Sequence, residues 1–254
     1  MWTEIVDLNA FYDTSLGQMV RLHLRRRIRA FWPNVAGEAV LGLGYATPYL
    51  RPFIGEAQRT IALMPAQQGV HPWPRAESDE RNLVALVEED QWPLPDLSMD
   101  RVLLVHAVEN SEALRPMLRE AWRVLAGGGK LLVVTPDRRS LWARLERTPF
   151  GHSHPYSRGQ LWRLLRDNMF SPLRSESALF FPPFRSRMLL KAAPTIEAIG
   201  GRWLSFLGGV TLTEASKQVY AMRPIRLPRG RRRSAPVPQP TLSAAEADKR
   251  TVRT

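Results

Sequence analysis

Residues 39–50, Ala39-Val-Leu-Gly-Leu-Gly-Tyr-Ala-Thr-Pro-Tyr-Leu50, lead from an apolar run through a small-residue turn to Thr47-Pro48, a pair suited to opening a helix. A strand, a small-residue turn and a helix start, in that order, form a loop whose backbone N–H groups can face a nucleotide-like ligand. Ala46 still permits close backbone approach while its φ stays negative, and Pro52 keeps the following helix short or kinked. The other chemistry-bearing side chains come later. His152 and His154 lie in the loop Thr148 to Ser157, and with no cysteine and few partners they do not read as a metal site. Trp142, Tyr156 and Trp162 offer flat faces on which a planar molecule could stack, although such rings more often fill a core.

The surrounding periodicity describes the scaffold. Leu16, Met19, Val20, Leu24, Ile28 and Phe31 predict a helix over 15–32, with Ser15 and Gln18 as a capping box and Trp32-Pro33 as its end. Arg21, Arg25, Arg26, Arg27 and Arg29 cover its other face, either as a solvated surface or as a contact for an anionic partner. Apolar runs predict strands at 39–41, 59–64, 82–87, 101–105 and 130–135. A helix is expected over Ser111 to Leu125, stopped by Gly127-Gly128-Gly129. Further helices are expected at 138–146, at 158–170 and, as one piece or two, within 184–207, with strands at 173–181 and 217–222. Apolar strands alternating with helices indicate an α/β fold with a parallel sheet covered on both faces, which binds ligands at the carboxyl ends of its strands.

Two later segments make a resemblance specific. Pro93-Leu-Pro-Asp-Leu-Ser-Met-Asp100 and Glu120-Ala-Trp-Arg-Val-Leu-Ala-Gly-Gly-Gly-Lys-Leu-Leu-Val-Val-Thr-Pro136, taken with the turn at Gly44, resemble class I S-adenosylmethionine (SAM)-dependent methyltransferases of the type 11 kind. The resemblance runs from residue 40 to residue 136. It implies a Rossmann-like, mostly parallel seven-stranded sheet with an antiparallel last strand, and SAM bound at the ends of the first three strands. The positions it marks for the cofactor are Gly42, Gly44, Tyr45, Ala46, Met64, Glu88 and Glu89. The family carries acids where this chain has Gly42 and Met64, and Glu56 or Gln67 are the candidates to replace the second of these. Glu88, with Glu89 beside it, matches an acid near the adenine, or is a solvated strand end. His106 falls where the family places acceptor-facing residues and is the candidate base or positioning group, with a structural histidine as the other reading. The turn is not the Gly-x-Gly-x-x-Gly of a dehydrogenase.

Composition sets the outer limits. The chain has 254 residues, 44% hydrophobic and 24% charged, and no apolar run of membrane-spanning length. Its start does not read as a signal peptide, and the absence of cysteine makes a cytoplasmic location the expectation. The net charge is +12, of which residues 223–254 carry nine basic against two acidic residues, or +7. Residues 1–222 are expected to form one α/β domain, with 1–35 as a helical extension. Residues 223–254 read as a basic, proline-rich, disordered tail. The resemblance implies methyl transfer from SAM to an unidentified acceptor. The alternative is a non-catalytic binding module of the same fold, whose basic tail contacts RNA or another polyanion.

Overall fold

The computed structural model describes residues 2–74, 81–145, 147–151, 153–183, 193, 196–197, 200 and 208–218. Two helices, α1 (Ile5–Asp13) and α2 (Ser15–Phe31), precede the first strand. They are joined at a bend held by Thr14, whose Oγ1 accepts from the Gly17 N–H at 3.1 Å. Thr14 is thus the cap of α2, and the expected Ser15–Gln18 box is not formed; the Gln18 amide donates to the Asp13 carbonyl instead. Gly17 has no room for a side chain, because a Cβ there would stand 2.1 Å from the Phe11 carbonyl oxygen.

The strands are β1 (Ala39–Gly44), β2 (Arg59–Pro65), β3 (Val84–Val87), β4 (Met99–Val105), β5 (Leu125–Pro136), β6 (Phe170–Ala178) and β7 (Val210–Lys217). The described strands form one seven-stranded sheet in the order β3-β2-β1-β4-β5-β7-β6. β1 to β5 pair in parallel, and β7 runs antiparallel between β5 and β6. Side chains alternate across the pleat. Val40, Ala62, Met64, Leu103 and Val105 join a core beneath α1, α2 and the short helix α3 (Thr47–Leu50). Leu41, Leu43, Leu63, Val102 and Leu104 join a second core beneath α4 (Leu114–Val124) and α5 (Arg158–Asp167). The doubly covered, mostly parallel sheet read from the sequence is the one observed.

Several boundaries differ from expectation, each for a tertiary reason. α4 starts at Leu114 rather than Ser111, because the Glu89 carboxylate binds the Ser111 hydroxyl and the N–H groups of Glu112 and Ala113. It ends where Leu125 turns extended (φ −68°, ψ 134°); none of the three glycines after it has positive φ, so they are not its stop. Residues 138–145 form turns, not a helix. The Ser140 hydroxyl is held by the carbonyls of Asp137 and Gly209, and the Trp142 indole donates to Phe181 O. β6 lies about three residues earlier than expected, bounded by left-handed Met169 and Leu179 (φ 62° and 60°).

The last described strand is Val210–Lys217; of the strand expected at 217–222, residues 219–222 lie outside the described residues. Its charged residues are partnered: Glu214 accepts from Trp32 and Arg174, and Lys217 donates to the Leu125 carbonyl. The helix expected at 184–207 and the tail at 223–254 lie essentially outside the described residues. Among the described residues no helix is long and apolar enough to cross a membrane.

Candidate functional site

The carboxyl ends of β1 to β5 open into one crest, and the turn after β1 is its centre. Gly44 has φ +78° and sits so close to β4 that a Cβ would lie 2.4 Å from the Val105 carbonyl oxygen. The next N–H, that of Tyr45, donates to that same oxygen at 2.9 Å. Ala46 follows with φ −90° and caps α3, which Pro52 converts after one turn into a 3-10 turn at Arg51–Phe53. Gly42 has a different job. A Cβ there would meet Ala46 Cβ and Leu50 Cδ1, both at 2.6 Å, so the space of the family's acid is filled by α3 itself.

The end of β2 carries the feature that the sequence did not disclose. Met64 is buried in the core, and Glu56 is engaged elsewhere, with Arg29 at 2.6 Å and the Val35 N–H at 2.8 Å. Gln67 is exposed and donates to Glu88 at 3.3 Å, which ties the ends of β2 and β3 together. Gln68, by contrast, is only 2% exposed, yet neither its amide nitrogen nor its amide oxygen has a hydrogen-bond partner. Nearby, His71 is held by Thr47 at 3.3 Å through Nε2 while its buried Nδ1 is unpaired, and burial pushes its pKa down, leaving it neutral. Buried polar atoms are nearly always bonded, so unpaired ones at a strand end indicate where a partner belongs.

Glu88 and Glu89 divide at the end of β3. Glu88 is exposed at the crest. Glu89 is buried beneath it and takes donors from the Trp2 indole, the Ser111 hydroxyl and two α4 N–H groups, including that of Ala113 at 3.0 Å. Burial alone would raise its pKa; these hydrogen bonds outweigh it and hold the carboxyl below its usual range. Glu89 therefore fastens the N-terminus of the chain and the start of α4.

α1 lies along the whole crest. Trp2 reaches Glu89 behind β3, and the Ile5 N–H donates to the Gln68 carbonyl at 2.8 Å behind β2. Asn9 accepts from the Tyr45 hydroxyl at 2.7 Å behind β1. Tyr12 stacks on Tyr45 with centroids 5.0 Å apart and planes at 19°. Its hydroxyl accepts from Tyr49 at 2.8 Å and lies 2.9 Å from His106 Nε2, behind β4. Burial raises all three phenols, Tyr45 to about 12, so they stay protonated hydroxyls at neutral pH.

His106 is fully buried, in the left-handed region (φ 51°) and against the Phe150 ring at 4.8 Å. On the other side of the ring from Tyr12, Nδ1 faces Glu109 Oε1 at 3.4 Å. Glu109 and Asn110 are 2% and 1% exposed. The loop from Thr148 to Tyr156 crosses above them, with the His154 N–H on the Glu109 carbonyl at 3.0 Å. The His154 side chain is exposed, and His152 lies outside the described residues. Tyr156 is half-buried, its phenol raised by burial with Glu109 nearby. Trp142 is core, and Trp162 donates to Ser175 at 2.7 Å under the Arg166 guanidinium. Among the described residues no cluster could hold a metal ion.

The crest thus has two halves. One, at β1 to β3, combines the Gly44 turn, the unpaired Gln68 amide and exposed Glu88. It offers a turn that only glycine can make, an amide without a partner, and an acid at the third strand end. The other, at β4 and β5, holds His106, Glu109 and Asn110. Tyr12 and Tyr45 lie between them.

Residues 40–133 match the family model described as a methyltransferase domain. A demethylmenaquinone methyltransferase of Tropheryma whipplei is 32% identical over 119 residues, covering 44% of this chain and 47% of that relative. The chain therefore spans about half the length of the curated relatives it matches. Among solved structures, a SAM-dependent methyltransferase of Thermotoga maritima superposes with a TM-score of 0.55 at 18% identity, over 80% of this chain and 91% of that one. The complex between the Haloferax volcanii Trm112 methyltransferase activator and a methyltransferase gives 0.57 at 19% identity, over 84% and 98%. Residues 40–133 thus match a methyltransferase domain, carried on a seven-stranded, mostly parallel sheet that superposes on solved methyltransferase structures.

Proposed function

We propose that the chain is a SAM-dependent methyltransferase that binds its cofactor along the ends of β1, β2 and β3, beneath α1. The observation that carries this reading is Gln68, a buried amide with both ends unpaired at the end of β2, on a domain of this family. Gln68 takes the ribose-binding role that an acid at position 64 would otherwise have, Glu88 stands at the adenine end, and Gly44 to Ala46 supply the close-packed turn. SAM, when bound, supplies an already activated methyl group, so the protein's contribution is positioning and exclusion of water. α1 and the residues just before it perform the exclusion, since the contacts of Tyr12, Asn9 and Trp2 span the crest. His106, held between Tyr12 and Glu109, stands at the edge where the acceptor belongs.

Gln68→Leu tests the assignment. The substitution removes two unpaired buried polar atoms, so the unliganded protein is expected to be as stable as the wild type or more so. Its affinity for S-adenosylhomocysteine, by isothermal titration, is expected to drop about tenfold, the loss of roughly 1.4 kcal/mol of hydrogen bonding. An unchanged affinity would remove Gln68 from the site.

A further inference from the structure

Three buried acceptor atoms on two consecutive residues past the end of β4 make no hydrogen bond. Both carboxylate oxygens of Glu109 lack a hydrogen bond, and so does the Oδ1 of Asn110, whose amide nitrogen is already committed to the His106 carbonyl at 3.0 Å. The nearest donor is His106 Nδ1, at 3.4 Å from Glu109 Oε1. Thr135, one residue beyond the last register pair of β4 and β5, adds a buried hydroxyl without a partner. A carboxylate removed from water needs both donors and opposite charge. Water would bring as many acceptors as donors and no charge. No arginine or lysine among the described residues pairs with Glu109.

We propose that Glu109 anchors the methyl acceptor through a cationic, N–H-rich nitrogen group, so that the acceptors of this site are amines, amidines or guanidines. This rests on the methyltransferase reading above and gives its substrate class. The chemistry of the surroundings agrees. Asn110 Oδ1 is free to accept a second N–H, and the half-buried Tyr156, close enough to Glu109 for the two to interact, offers an aromatic ring for a cation. An acceptor-only group would meet three further acceptor atoms.

The test is calorimetric titration of the full chain, with and without S-adenosylhomocysteine, using phenethylamine and benzamidine as probes and 2-phenylethanol as the neutral control, each to about 10 mM. The amine and the amidine are expected to bind saturably and the alcohol not. Glu109→Gln is expected to weaken both cations at least about tenfold while keeping its affinity for S-adenosylhomocysteine. Glu109→Asp, which retains the charge, is expected to keep the preference for cation over alcohol, and serves if the glutamine variant does not fold. Equal binding of amine and alcohol, no binding of either cation, or an unchanged affinity in Glu109→Gln would overturn the proposal. Cation binding that depends on Glu109 in a protein that does not bind S-adenosylhomocysteine would leave the anchor standing and overturn the methyltransferase reading.

Discussion

A Gly44→Val chain is expected to melt about 6–12 °C below the wild type. Two costs add. The backbone at Gly44 is left-handed (φ +78°), which costs a side chain with a Cβ about 1–2 kcal/mol. The new Cβ would also stand 2.4 Å from Val105 O, 3.3 Å from His106 O and 3.2 Å from Ala107 Cβ. Two of these are backbone atoms at the end of a central strand, paired in register with Gly44 itself, so they cannot retreat without opening the sheet. Overpacking of this kind costs about 1–3 kcal/mol, for a total near 3 kcal/mol. In a chain of this size each kcal/mol lowers the melting temperature by about 2–4 °C. Gly127→Ala is the control: its Cβ would meet nothing, and its shift is expected to stay within about 1 °C. Thermal unfolding followed by circular dichroism reads both. A valine variant that melts with the wild type would show that β1 and β4 do not approach as described.

Glu89→Gln is the second large effect, and it carries a pH signature. The carboxylate accepts from Trp2, Ser111, Glu112 and Ala113, and hydrogen bonds to a charged group contribute about 1.5–3 kcal/mol each before compensation. An amide retains some of these bonds, so the expected loss at neutral pH is about 3 kcal/mol. The folded protein holds this carboxyl below its ordinary value of 4.5. A depressed pKa means that the stabilisation is fully present above the unfolded value and is lost as pH falls through the folded one. Urea denaturation at several pH values is therefore expected to show a gap between wild type and variant that is constant above about pH 6 and narrows toward pH 4. A gap of the same size across that range would mean that the ionised carboxylate is not what fastens the N-terminus and α4.

How far the sequence discloses this molecule varies with the kind of residue involved. The parallel strands are legible because β1, β2, β4 and β5 are buried on both faces and so appear as continuous apolar runs. β7 is hidden for the opposite reason. It contains Glu214 and Lys217, charges that look like a strand's end until Arg174, Trp32 and the Leu125 carbonyl are seen to receive them. The turns at 138–145 carry a helix-forming composition, and only the distant Gly209 and Phe181 carbonyls explain why no helix forms. The site follows the same division. Gly44 and Glu88 are found through the resemblance to class I methyltransferases, whose motifs mark those positions. Gln68, Glu109 and Asn110 are not, because what marks them is burial without a partner, which exists only once the fold has closed. α1 lies between these cases. Ile5, Leu8, Phe11 and Tyr12 form an apolar stripe that periodicity can detect, while its position across the strand ends depends on tertiary contacts.

The central claim is that this crest is a cofactor site whose contacts survive the loss of the family's acids at positions 42 and 64. Titration of S-adenosylhomocysteine into the full-length protein by calorimetry tests it most directly. The expected result is saturable binding of one ligand per chain, with a dissociation constant of about 1 µM–1 mM, the usual range for enzyme ligands. No heat of binding at about 5 mM ligand, from a chain that unfolds cooperatively, would contradict it.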